Sequence, residues 1–216
     1  MPKSSQDVVR EFVSHLHSLN FTRNKMEGLF SSKELVRRDI EQVYKGLYID
    51  AFTSLEQSIE TLFIGLLVGN IAPNSNQVRP KVMFDSYQTA RSVVYAGRPY
   101  VDWLPYEKTE DRAKIFFRGG KPFSCLSKQQ ISKHQLSDRQ KLQRLQYVRN
   151  AIAHKSKYSV RVFENKVIDG RPINYSYEKR PAGFMRVTYR NNPAQTWYEL
   201  FVSEMVDVLR TIAEFR

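Results

Sequence analysis

The sequence predicts a mainly α fold: a helical bundle with an attached C-terminal β-hairpin and a final helix. Three observations carry that expectation. Long stretches place apolar residues three and four apart, the period of one helix face. Ser31–Glu34 and Ser137–Gln140 both read as capping boxes, in which a serine and an acid or amide satisfy each other's backbone N–H groups at a helix start. After Ser156 the texture turns to alternating β-branched and aromatic residues, then returns to helical spacing near residue 193. At 216 residues the chain can bury one proper core. The expected layout is a single domain over 1–216, with a helical core at about 32–158, a β-hairpin at about 158–190 and a last helix at about 193–215.

In chain order, residues 5 to 20 read as a short amphipathic helix with Val8, Phe12, Leu16 and Leu19 on one side. His15 and His17 point to opposite sides of such a helix and cannot share a metal. A second helix is expected from the Ser31–Glu34 box to about Val68, with a bend at Gly46 and a stop at Gly69-Asn70. Its second half carries Phe52, Leu55, Ile59, Leu62, Phe63 and Leu66. Glu56 and Glu60 lie at the edge of that stripe. They read either as solvated rim residues or as carboxylates that orient a functional group.

Residues 70 to 82 form a polar loop with two prolines. Helices follow at about 84–96, closed by Gly97, and from Thr109 to about Phe117. Arg118-Gly-Gly-Lys-Pro-Phe123 has basic flanks, so Arg118 and Lys121 are candidate RNA contacts, but its glycine spacing is not that of a P-loop. A tight turn is the other reading. Ser127 starts a short helix, and His134 beside Lys133 reads as exposed. Tyr158–Phe163, Lys166–Ile168 and Phe184–Tyr189 read as strands, with Asp169-Gly170 as the turn. Asn192-Pro193 then opens the last helix, whose apolar face holds Trp197, Leu200, Phe201, Met205, Val208, Leu209 and Ile212.

The net charge of +12 favours polyanionic partners, nucleic acid first among them. The longest apolar run lies within Leu62–Val68, too short for a membrane span, so no membrane partner is expected. The single cysteine, Cys125, excludes an internal disulfide, and no signal-peptide core precedes the first helix, so the expected location is cytoplasmic.

The candidate chemistry sits in Tyr147–Ser156, late in the helix that opens at Ser137. On a helical wheel Leu142, Leu145, Val148 and Ile152 share one side. With Arg149 at zero, Ala153 lies near about 40°, Asn150 near about 100° and His154 near about 140°. Arg149 and His154 are separated by about 7.5 Å along the axis, with a small alanine between them. A guanidinium offers fixed charge and a fork of donors to phosphate oxygens, and an imidazole exchanges a proton near neutral pH. Together they suit attack of a ribose 2′-OH on its own phosphodiester. No metal-ligand cluster is evident, and no cofactor is expected.

Arg149, Asn150 and His154 match in order the Arg-polar-x-x-x-His motif of the HEPN superfamily, which the stretch from about Ser32 to Tyr158 resembles. That resemblance implies a compact helical bundle acting as a metal-independent endoribonuclease, as a homodimer, in the manner of toxins or anti-phage effectors. It implies products with 2′,3′-cyclic phosphate and 5′-hydroxyl ends, with Arg149, Asn150 and His154 as catalytic residues. A toxin of this kind implies an antitoxin or regulatory protein as a further partner. Toxins of the HEPN–MNT type carry a tyrosine two residues after the histidine; here that position is Ser156 and the nearest tyrosine is Tyr158, a candidate supporting residue. Lys155 and Lys157 are candidate RNA contacts beside it. A non-catalytic RNA-binding or protein-interaction module of the same bundle is the alternative.

Overall fold

The computed structural model describes residues 2–128, 136–169, 173–189 and 192–215. Helices dominate: α1 (Ser5–Ser31), α2 (Arg37–Leu67), α3 (Tyr87–Tyr95), α4 (Tyr106–Phe116), α5 (Asp138–His154), α6 (Lys157–Phe163), α7 (Pro181–Arg186) and α8 (Trp197–Ala213). The strands are short: β1 (Lys3–Ser4) runs parallel to β2 (Ile71–Ala72), and β3 (Thr188–Tyr189) pairs antiparallel with β4 (Asn192–Thr196). The protein is therefore mainly α with a C-terminal hairpin and a final helix. Among the described residues no helix is long and apolar enough to cross a membrane.

The chain divides into two compact units. The first takes Met1–Val13, Ser54–Leu142 and Val206–Arg216. Its core gathers around Phe63, whose ring meets Trp103, Phe116, Phe117 and Phe123 at centroid distances of 4.9 to 6.1 Å. Gly65 lets Ile71 approach closely: a Cβ there would lie 2.5 Å from the Ile71 Cδ1. Buried hydroxyls find backbone acceptors, Thr109 on the Trp103 carbonyl at 2.5 Å and Tyr106 on that of Phe123 at 2.6 Å.

The second unit takes Ser14–Thr53 and Gln143–Met205. Tyr44, Tyr48, Phe163, Phe184, Tyr198 and Phe201 are buried in it. Charged pairs are packed into the same region. Arg23, only 7% exposed, binds Glu199 at 2.6 Å, and Arg186 grips Glu27 through two bonds of 2.8 and 2.9 Å. Arg144 pairs with Glu204, and Arg180 with Glu41 at 2.6 Å.

Those pairs explain one departure from the sequence reading. The first helix runs to Ser31, past residue 20, because its polar second half is held by Arg23 and Glu27 in long-range ion pairs. The Ser31–Glu34 box is not a helix cap: α2 begins at Arg37, where the Val36 N–H donates to the Asp39 carboxylate at 3.1 Å. Helix α2 continues through Gly46 without interruption.

The β-hairpin is a second correction. It occupies Thr188–Thr196 rather than 158–190. Residues 157–163 are helical and 164–168 form a π-type turn, so the alternation at Tyr158–Phe163 and Lys166–Ile168 is not a strand signal. Ser156 caps this segment by accepting the Ser159 N–H at 3.1 Å. Ser159, Phe163 and Val167, four residues apart, are buried in it, together with Ile168. The last helix opens at Trp197, not at Asn192-Pro193: the Thr196 N–H donates to Glu199 at 2.7 Å and the Glu199 N–H reaches back to the Thr196 hydroxyl at 3.4 Å. His134 and the glycine of Asp169-Gly170 lie outside the described residues.

Candidate functional site

The site is built on α5. Its start is the reciprocal box expected at Ser137: the Gln140 N–H donates to the Ser137 hydroxyl at 3.1 Å, and the Ser137 N–H donates to the Gln140 side chain at 2.9 Å. Leu142, Leu145, Val148, Ala151 and Ile152 are buried, so the apolar stripe points inward and the polar wedge outward. The buried Tyr48 hydroxyl donates to the Leu145 carbonyl at 2.7 Å. In a regular helix that carbonyl also accepts the N–H of Arg149, so Tyr48 pins the turn from which Arg149 projects. Burial first, then the Glu204 carboxylate, push the Tyr48 phenol well above its ordinary range, which keeps it a donor.

At the other end, Lys155 takes a left-handed conformation (φ 49°) and Ser156 caps α6. Helix α5 therefore stops at His154 and leaves its imidazole exposed. The wheel placement holds. The Arg149 Nη1 lies 3.3 Å from the His154 Nε2 and donates to the Asn150 Oδ1 at 3.2 Å. An N–H of the guanidinium can donate to Nε2 only when that nitrogen carries a lone pair. A guanidinium N–H that donates there occupies the one lone pair of that nitrogen. The Asn150 amide oxygen thus lies against Arg149. Ala153 is exposed, so no side-chain bulk stands over the pair.

Around them Lys155 and Lys157 are exposed, and Tyr158 is 72% exposed on α6. The remaining candidates lie in the first unit. Glu60 binds Arg91 at 3.1 Å and so serves α3; Glu56 is half-buried on α2. Lys121 donates to the Gln77 side chain at 2.5 Å. Arg118 is exposed on a tight turn, where Gly119 and Gly120 take φ of 63° and 69°. That turn is the local structure of Arg118–Phe123, and Phe117 and Phe123 are core. Among the described residues no group of three or more His, Cys, Asp or Glu side chains is placed to hold a metal ion.

Tyr48 is the functional candidate that sequence reasoning missed. Its spacing from Tyr44 and Phe52 marks a core stripe and carries no sign of a hydrogen bond to α5. No protein-family model, curated protein or solved structure matches this chain.

Proposed function

We propose that this protein is a metal-independent endoribonuclease, with Arg149, Asn150 and His154 as its catalytic residues. The observation that carries the reading is the 3.3 Å contact between the Arg149 guanidinium and the His154 imidazole on an exposed helix end. The Arg-Asn-x-x-x-His order of the HEPN superfamily and the net charge of +12 support it.

In the reaction, Arg149 turns from His154 to the phosphate, and the lone pair this frees on Nε2 takes the proton of a ribose 2′-OH. The 2′-oxygen attacks the adjacent phosphorus, and the bond to the 5′-oxygen breaks. That oxygen leaves with a proton as a 5′-hydroxyl, and a 2′,3′-cyclic phosphate remains. Arg149 donates to the phosphate oxygens as negative charge builds on them, and Asn150 holds the guanidinium in place. In-line transfer needs a proton acceptor on one side and a donor on the other. The one motif histidine of each chain supplies one role, so the active form is a symmetric homodimer whose second His154 supplies the other. The biological role consistent with this activity is a toxin or anti-phage effector held in check by an antitoxin or regulatory protein, in the cytoplasm.

The test is cleavage of RNA by purified protein. Arg149→Ala and His154→Ala should each lower the rate by about 10² or more, while excess chelator leaves wild type unaffected and the products carry cyclic phosphate ends. Undiminished cleavage in either variant sinks the assignment. RNA binding without cleavage by wild type would instead identify a binding module.

A further inference from the structure

The second unit carries an aromatic stack that the chemistry above does not use. Tyr175 and Tyr177 lie nearly parallel, with ring centroids 5.4 Å apart and an interplanar angle of 9°. The Arg37 guanidinium lies 3.9 Å from the centroid of Tyr177. Near-parallel rings at that separation leave no room for a guanidinium between them. The order is therefore Arg37, Tyr177, Tyr175, and Tyr175 is the outer layer, 61% exposed.

A surface stack of this kind is normally mobile, but here its backbone is tied down at three points. The buried Glu178 carboxylate accepts the Asn174 N–H at 2.9 Å. Arg180 binds Glu41 on α2 at 2.6 Å. Gly183 on α7 sits so close that a Cβ there would meet the Tyr177 carbonyl oxygen at 2.0 Å. The short 3₁₀ turn Ser176–Lys179 is thus held on both sides, and the ring of Tyr175 is presented at little further cost in conformational entropy.

We propose that Tyr175, backed by Tyr177 and Arg37, is a stacking platform for a base of single-stranded nucleic acid. A nucleobase is a flat π-system that continues a three-layer stack, and the exposed cations Arg38, next in sequence to Arg37, and Lys179, on the same turn as Tyr177, suit the attached phosphates. An acidic peptide would satisfy the charges but has no flat face for the outer ring. The class of ligand follows the reading of this protein as one that acts on RNA; the platform itself asks nothing of cleavage.

The experiment measures binding of a short labelled single-stranded RNA by fluorescence anisotropy, in His154→Ala protein so that the probe is not cut. Tyr175→Ala should weaken binding by about 5- to 150-fold, the range for losing one base stack, and Tyr175→Phe should restore it. An abasic oligomer of the same length should bind the same with or without the ring. Circular dichroism checks that each variant is folded, as expected for an exposed side chain. Three results overturn the platform: equal RNA affinity for Tyr175→Ala, equal weakening with the abasic oligomer, or equal weakening with polyglutamate, which would mark an acidic-peptide surface. Absence of RNA binding overturns it too, and leaves the cleavage assay of wild type to judge the nuclease reading separately.

Discussion

Arg149 and His154 meet because the long arginine side chain spans the separation of about 140° and about 7.5 Å that a five-residue helical step leaves between them. The spacing was legible from the wheel alone, and the direct contact was not. Nor was the bond from Arg149 to Asn150, since a wheel gives direction and no rotamer. The fork of the guanidinium matters beyond its charge, so Arg149→Lys should fail to restore the rate lost in Arg149→Ala; a cleavage time course on the two variants decides this. The Tyr48 hydroxyl makes a buried bond to a carbonyl that keeps its helical partner. Tyr48→Phe should cost about 0.5–1.5 kcal/mol in a urea melt, and a larger fall in cleavage rate than in RNA affinity would show that the bond positions Arg149. Cys125 makes a contrast. Burial pushes its thiol up to about 12, so it should react with a thiol reagent at neutral pH only after denaturation.

Single elements differ in how openly they announce themselves. The Ser137–Gln140 box and the leucine stripe of α5 were both readable, because capping and amphipathicity are local. Ser137→Ala should cost about 1 kcal/mol, and Leu145→Ala, at a fully buried position, about 2–5 kcal/mol; chemical denaturation checks both. Residues 157–168 misled because Tyr158–Phe163 alternates over a span too short to separate two periods. The decisive signals lay at its edges, in Ser156 as a cap and in the four-residue spacing of Ser159, Phe163 and Val167. A cap was equally available at Thr196-Trp-Tyr-Glu199 rather than at Asn192-Pro193: Thr196 and Glu199 form the box that starts α8. The second half of α1 had no local signal, since its partners Glu199 and Arg186 are far away in the chain.

Across the whole molecule, the charged residues within the second unit set its response to acid. For Glu27, burial opposes the charge, but hydrogen bonds from Arg186 and Tyr44 and the charges of Arg186 and Arg23 hold its carboxyl below the ordinary 4.5. For Glu199, burial again opposes, and bonds from the Thr196 backbone and hydroxyl together with Arg23 prevail. A carboxyl whose folded value is depressed stabilises the fold fully above its unfolded value and progressively less as pH falls through the folded one. Stability should therefore stay level down to about pH 4.5 and decline below it. Glu27→Gln should flatten that decline while lowering stability at pH 7; thermal melts across the acid range test both. Composition made the excess of positive charge plain, but which arginines are enclosed with carboxylates depends on tertiary pairing and was hidden.

Chain order also bears on how this protein is made. Both units draw on α8: Trp197–Met205 belongs to one and Val206–Ala213 to the other. Neither has all its parts until that helix has been synthesised, so the usual route in which an N-terminal domain folds while the rest is still being translated is closed to it. Under the proposed activity, the translating ribosome would carry only an unfinished nuclease, and the message being read would be spared until synthesis had passed α8.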